Sequence, residues 1–121
     1  MLTKYDASGN PIVAAAAAYY STRLAVTSGN TGTITAAQLS ANTSILWVWS
    51  SNSGAAKTGT IPASTGSLKT IKVVDSFGDA QTNNISFTIT GGGSVQGLAK
   101  VNNNYGMIVL TDDTAGWISG I

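Results

Sequence analysis

The sequence predicts an all-β protein, an antiparallel β-sandwich or barrel-like module, and three observations predict it. Runs of β-branched and aromatic residues recur about every ten residues, turn-forming residues separate them, and the polarity comes from small uncharged side chains. The 121 residues include 16 Thr, 14 Ser, 14 Gly and 9 Asn, while charged residues are 9% and the net charge is +1. An average soluble domain carries about 25% charged residues. Disorder needs low hydrophobicity with high net charge, and here 43% of the chain is hydrophobic. The expectation is a folded chain short of solubilising charge, which gains burial by associating with itself.

The first segment differs from the rest. Asp6-Ala-Ser-Gly-Asn-Pro11 is a turn cluster, and Ile12 to Tyr20 is an apolar run of nine residues with five consecutive Ala. That is less than half the length of a membrane-spanning helix. The turn cluster also stands where a secretory leader would carry a basic region. An apolar segment of this kind needs a surface to lie on, either its own domain or a neighbouring subunit. The chain is therefore divided into an N-terminal attachment arm, residues 1–28, and a β domain, residues 29–121. Tyr5, Ile12, Val13, Tyr19 and Tyr20 are the candidate anchors of the arm, because aromatic residues seated in partner pockets dominate interface energetics.

Within the β domain, Thr31 to Thr35 reads as a strand start. Ser44-Ile-Leu-Trp-Val-Trp-Ser50 is the strongest strand, with Ile45, Trp47 and Trp49 on one face and Leu46 and Val48 on the other, so that both faces are apolar. Lys57 to Ile61 is a weak strand ended by Pro62. Leu68 to Val74 follows, then a turn at Asp75-Ser-Phe-Gly-Asp79. Asn84 to Thr90 alternates, with Ile85, Phe87 and Ile89 inward. Gly91-Gly-Gly93 and Asn102-Asn-Asn104 are loops. Tyr105 to Thr111, a turn at Asp112-Asp-Thr-Ala-Gly116, and Trp117 to Ser119 complete a terminal hairpin. No sustained internal repeat and no long helix after Ser28 are expected. Trp47, Trp49, Phe87, Tyr105 and Trp117 are assigned to core or inter-subunit packing.

The residue inventory argues against an enzyme. The chain has no His, Cys or Glu, so the commonest general base and the thiolate metal sites are missing. The paired carboxylates, Asp75 with Asp79 and Asp112 with Asp113, fall in predicted turns, where Asp caps backbone N–H groups. Ca²⁺ takes about 6–8 oxygens and the 75–79 loop offers two carboxylates. The Gly91–Gly93 run lacks the Lys-Ser/Thr and helix start of a phosphate cradle. One Arg and five scattered Lys make no basic stripe for nucleic acid. No cofactor, metal, nucleic acid or membrane partner is expected.

One ordered string has a resemblance. Lys69 to Ala80, Asn83-Asn-Ile85 with Phe87 and Ile89, Gly97, Asn104-Tyr-Gly106, Val109 to Asp112, and Trp117 together resemble modules of bacteriophage tail fibres, head fibres and capsid-decoration proteins, over about residues 67–119. The resemblance implies an antiparallel β module that assembles as a homotrimer on a virus particle. It implies a capsid decoration (cement) or head-fibre protein on the virion surface, made in the host cytoplasm. Its partners would be itself and the major capsid or another virion protein. The alternative is a tail-associated fibre protein that contacts a host receptor or glycan. The turn before Trp117 departs from the Asp-Gly pattern of that family. Independently of any family, Asp75 at a strand end can bind the turn backbone, Gly78 supplies positive φ, and Ala80 fits where the chain re-enters a packed layer.

Overall fold

The computed structural model describes residues 20–120 throughout and, before them, the backbone of Lys4–Tyr5 (β1) and Pro11–Ile12 (β2), which pair antiparallel. The remaining described elements are β3 (Thr22–Val26), β4 (Thr31–Thr33), α1 (Ala36–Ala41), β5 (Ser44–Trp49), β6 (Lys57–Ile61) and β7 (Thr70–Asp75). They continue through β8 (Ile85–Ile89), β9 (Lys100–Val101), β10 (Met107–Asp113) and β11 (Gly116–Gly120). The protein is mostly β, and these strands form two mixed sheets, ordered β11-β10-β7-β5-β3 and β4-β6-β8-β9.

The expectation of an antiparallel module is corrected by the pairing. From β3 to β8 successive strands alternate between the two sheets, so each strand's neighbour within its sheet is the next strand but one. Such neighbours run the same way. β3 pairs β5, β5 pairs β7, β4 pairs β6 and β6 pairs β8, all in parallel. The chain thus winds three times through both sheets, the topology of a short β-solenoid. Antiparallel pairing begins where the winding stops: β9 on β8, β10 on β7, and the β10–β11 hairpin.

The winding carries a repeat that the sequence reading missed. Thr-Gly-Thr-Ile occurs at residues 31–34 and again at 58–61. The two copies lie side by side, Gly32 opposite Gly59, with Ser86-Phe-Thr-Ile89 as the third member. Outward hydroxyls meet along this column, with Thr60 Oγ1 and Thr88 Oγ1 at 3.1 Å. The inward position is Gly twice for a packing reason. A Cβ on Gly59 would lie 2.6 Å from Trp47 Cη2, and one on Gly32 would lie 2.5 Å from Val26 Cγ2 and 3.2 Å from Trp47 Cζ2. The glycines of the smaller sheet make room for the indole of the larger one.

Both sheets contribute to one core. Trp47 and Trp49 are tilted at 54° with ring centroids 5.1 Å apart. They lie among Ile45, Ile71, Val73, Ile108 and Leu110 of the larger sheet and Ile61 and Ile85 of the smaller. Trp117 is fully buried and donates Nε1–H to the Pro62 carbonyl at 2.7 Å. The indole N–H thereby keeps a partner out of water.

Two further boundaries are corrected. The β region begins at Thr22, not at residue 29, because Thr22–Val26 pairs along the full length of β5 from Ile45 to Trp49. The turn expected at Asp112 to Gly116 is shorter: Asp112 and Asp113 continue β10, and Asp113 pairs with Gly116 across Thr114-Ala115. α1 is a six-residue helix held by a capping box, in which Thr35 Oγ1 accepts from Gln38 N–H while Gln38 Oε1 accepts from Thr35 N–H.

Candidate functional site

Three carboxylates organise the loops. Asp75 ends β7 with its side chain fully buried. Its Oδ1 accepts from Gly78 N–H at 3.0 Å, and its Oδ2 from Ala80 N–H at 2.9 Å and Tyr105 N–H at 3.2 Å. One side chain therefore ties the 75–80 turn to the Asn104-Tyr-Gly106 loop. Gly78 has φ 95°, and the Tyr105 ring occupies the space where a Cβ at Gly78 would stand, 2.2 Å from Cζ. Tyr105 itself has φ 57° and is 67% exposed. Of the two alternatives, core or inter-subunit packing, the exposure removes the first: its ring covers a glycine at the surface, and its N–H is bound to Asp75 while the backbone is left-handed.

Asp112 does the same for a second loop. Its buried carboxylate accepts from Thr65 N–H and Oγ1, both at 2.7 Å, from Gly66 N–H at 3.1 Å and from Ser67 Oγ at 2.6 Å. Burial pushes this carboxyl up, but the bonds from Ser67, Thr65 and Gly66 outweigh it and hold it below 3.8. Asp113 is different in kind, with Oδ2 accepting from Ala115 N–H at 3.0 Å in the hairpin turn.

Asp79 is the third. Its Oδ1 pairs with Lys57 Nζ, and its Oδ2 accepts from Asn83 Nδ2 at 3.0 Å. Burial raises this carboxyl, while the bonds from Lys57 and Asn83 and the Lys57 charge lower it by more, for a net shift below 3.8. Lys57 is 0% exposed, and its ammonium stands 5.6 Å from the Phe77 ring centre. The carboxylates of the expected 75–79 loop are thus engaged by N–H groups and an ammonium. No group of three or more His, Cys, Asp or Glu able to hold a metal occurs among the described residues.

Two surfaces offer themselves for contact instead. The outward face of the five-stranded sheet bears a column of apolar register partners, Ala25, Val48, Val74 and Met107, in which Val48 is already buried and Ala25, Val74 and Met107 keep exposed surface; the next row, Arg23, Leu46, Lys72 and Val109, mixes charged and apolar residues. The second surface is the end of the winding, where β3 and β4 are, among the described residues, the edge strands of their sheets. Between them lies a groove of about 330 Å³ lined by Leu24, Val26, Thr31, Gly32, Thr33 and Trp47. The other end is covered by the antiparallel strands β9 to β11.

Of the candidate anchors, Tyr20 is half-buried, and its ring centre lies 5.9 Å from Lys72 Nζ on that same outward face. The side chains of Tyr5, Ile12, Val13 and Tyr19 lie outside the described residues. Trp47, Trp49 and Trp117 are in the core, and Phe87 packs against it from a partly buried position. The sequence reading missed Lys57 altogether, because a Lys in a polar-looking strand carries no mark of burial. The register provides one: Lys57 pairs with Ile85 and alternates with Gly59 and Ile61 on the inward face.

None of the known protein-family models matches the chain, and no curated protein matches it in sequence.

Proposed function

We propose that this protein is a virion structural protein, a capsid decoration or head-fibre component that assembles with copies of itself as a trimer and attaches to the particle through its N-terminal segment. In this reading it is not an enzyme, and its two sheets act as a small sandwich that presents surfaces. The observation that carries the reading is the apolar column on the outward face of the larger sheet, Ala25–Val48–Val74–Met107. The part of that column left in solvent, Ala25, Val74 and Met107, is apolar surface that a second layer covers, and further copies of the chain supply it. The exposed edges of β3 and β4 add a place where strands of a partner can pair. The string that resembles phage modules supports the placement on a virion, because Asp75 joins its separate parts, the 75–80 turn and Asn104-Tyr-Gly106, into one unit.

Burial of Trp47, Trp49 and Trp117, all at 1% or less, favours the cement reading over a glycan-binding fibre. A glycan platform needs aromatic faces in solvent. The test is decoration of purified particles by labelled protein with and without residues 1–19. The full chain binds and the truncated chain, still folded by circular dichroism, does not. Equal occupancy by both would move attachment to the β region. Absence of binding by the full chain would defeat the virion reading.

A further inference from the structure

We propose that Lys57 and Asp79 form an intramolecular amide bond, with Asn83 as the group that stabilises its formation. Lys57 is fully buried and its Nζ contacts Asp79 Oδ1, Asn83 Nδ2 donates to Asp79 Oδ2 at 3.0 Å, and the Phe77 ring centre lies 5.6 Å from the ammonium. Backbone geometry holds the two reactants together, since Lys57 N–H donates to Asn84 O at 2.9 Å and Asn83 N–H to Asp79 O at 2.8 Å. Lys57 heads β6 in the second winding and Asp79 lies in the turn after β7 in the third, so a bond between them clips adjacent windings together.

The resting pair is ionic. Transfer of one proton from Nζ to Oδ1 gives a neutral amine and a carboxylic acid without any exchange with solvent. The direct contact of Nζ with Oδ1 gives that proton its path. The Nζ lone pair then attacks Asp79 Cγ. Negative charge develops on Oδ2, where the Asn83 Nδ2–H already points, the placement of an oxyanion donor. A second proton passes from Nζ to Oδ1, the Cγ–Oδ1 bond breaks, and water leaves. Ammonium and carboxylate become a secondary amide plus one water, with no oxidant, reductant or co-reactant. Proximity of the reacting groups in a rigid site supplies the acceleration.

Intact-mass spectrometry of the full chain tests this directly. The expected mass is one water below that of the sequence, with a branched peptide joining Lys57 and Asp79 after proteolysis. Asn83→Ala, which keeps both reacting groups, slows appearance of the lighter species by about a hundredfold. A chain at its full sequence mass after prolonged incubation overturns the proposal. Loss of one ammonia instead of one water also overturns it, because the electrophile would then be a carboxamide. An unchanged rate in Asn83→Ala removes Asn83 from the chemistry. None of these outcomes depends on particle attachment.

Discussion

Asp75 and Tyr105, thirty residues apart, are joined by a backbone-to-carboxylate hydrogen bond of 3.2 Å, and the same carboxylate holds Gly78 and Ala80. The last parallel strand of the larger sheet and the loop that leads into its antiparallel cap therefore share one buried acceptor. The surface aromatic Tyr105 is placed by that bond, and its ring seals the turn at Gly78.

Replacing Asp75 by Asn turns one acceptor oxygen into a donor facing backbone N–H groups. Hydrogen bonds to a charged group contribute about 1.5–3 kcal/mol each, and a buried donor left without a partner costs about 1–3 kcal/mol. Asp75→Asn is expected to lower stability by about 3 kcal/mol, measured by denaturant unfolding, with a shift in Tyr105 fluorescence. Asp113→Asn, which touches one N–H in an exposed turn, costs about 0.5–1 kcal/mol. Equal costs for the two would contradict the tie.

Asp112 gives stability a definite pH dependence. Its folded carboxyl lies below the ordinary 3.8, so the folded state binds this proton less readily than the unfolded chain. The contribution is complete above the unfolded value and is lost as pH falls through the folded one. Asp79 is shifted in the same direction and acts over the same range. The thermal midpoint should hold between about pH 5 and 7 and fall below about pH 4. Asp112→Asn should start lower at neutral pH and lose less on acidification. An acid limb as steep as that of the unaltered protein would contradict the assignment.

Gly59 is required by contact with Trp47. A methyl placed there lies 2.6 and 2.8 Å from the indole, so Gly59→Ala must displace a buried ring in a filled core. Overpacking of this kind costs about 1–3 kcal/mol, read as a lower denaturation midpoint with altered tryptophan emission. At Gly120 a methyl would meet nothing within 4 Å, and Ala is tolerated there with little change. Should both substitutions be neutral, the indole does not fill the space between the sheets.

Much of the strand content was legible, because alternation of apolar residues marks strands such as 44–49 and 85–89 locally. Direction was not. Whether Lys57–Ile61 pairs with its chain neighbour or with the strand one winding later depends on where the intervening loops lead, and periodicity carries no information about that. The duplicated Thr-Gly-Thr-Ile at 31 and 58 was the available signal, short enough to pass as a common strand end. In sequence Asp112 reads as a turn residue because Asp usually is one. Its burial follows from the 65–67 loop folding over β10, forty-five to forty-seven residues away in sequence. For Tyr105 the sequence leaves core and inter-subunit packing both open, because it does not show the left-handed backbone of the Asn-Tyr-Gly loop, where the side chain is exposed.

Association through the outward apolar face is the central claim. Light scattering on the purified full chain at micromolar concentration measures it directly. The predicted mass is about three times the 12.3 kDa of one chain, falling toward the monomer when Val74 and Met107 are replaced by Lys. A monomer of 12.3 kDa at every concentration would contradict it.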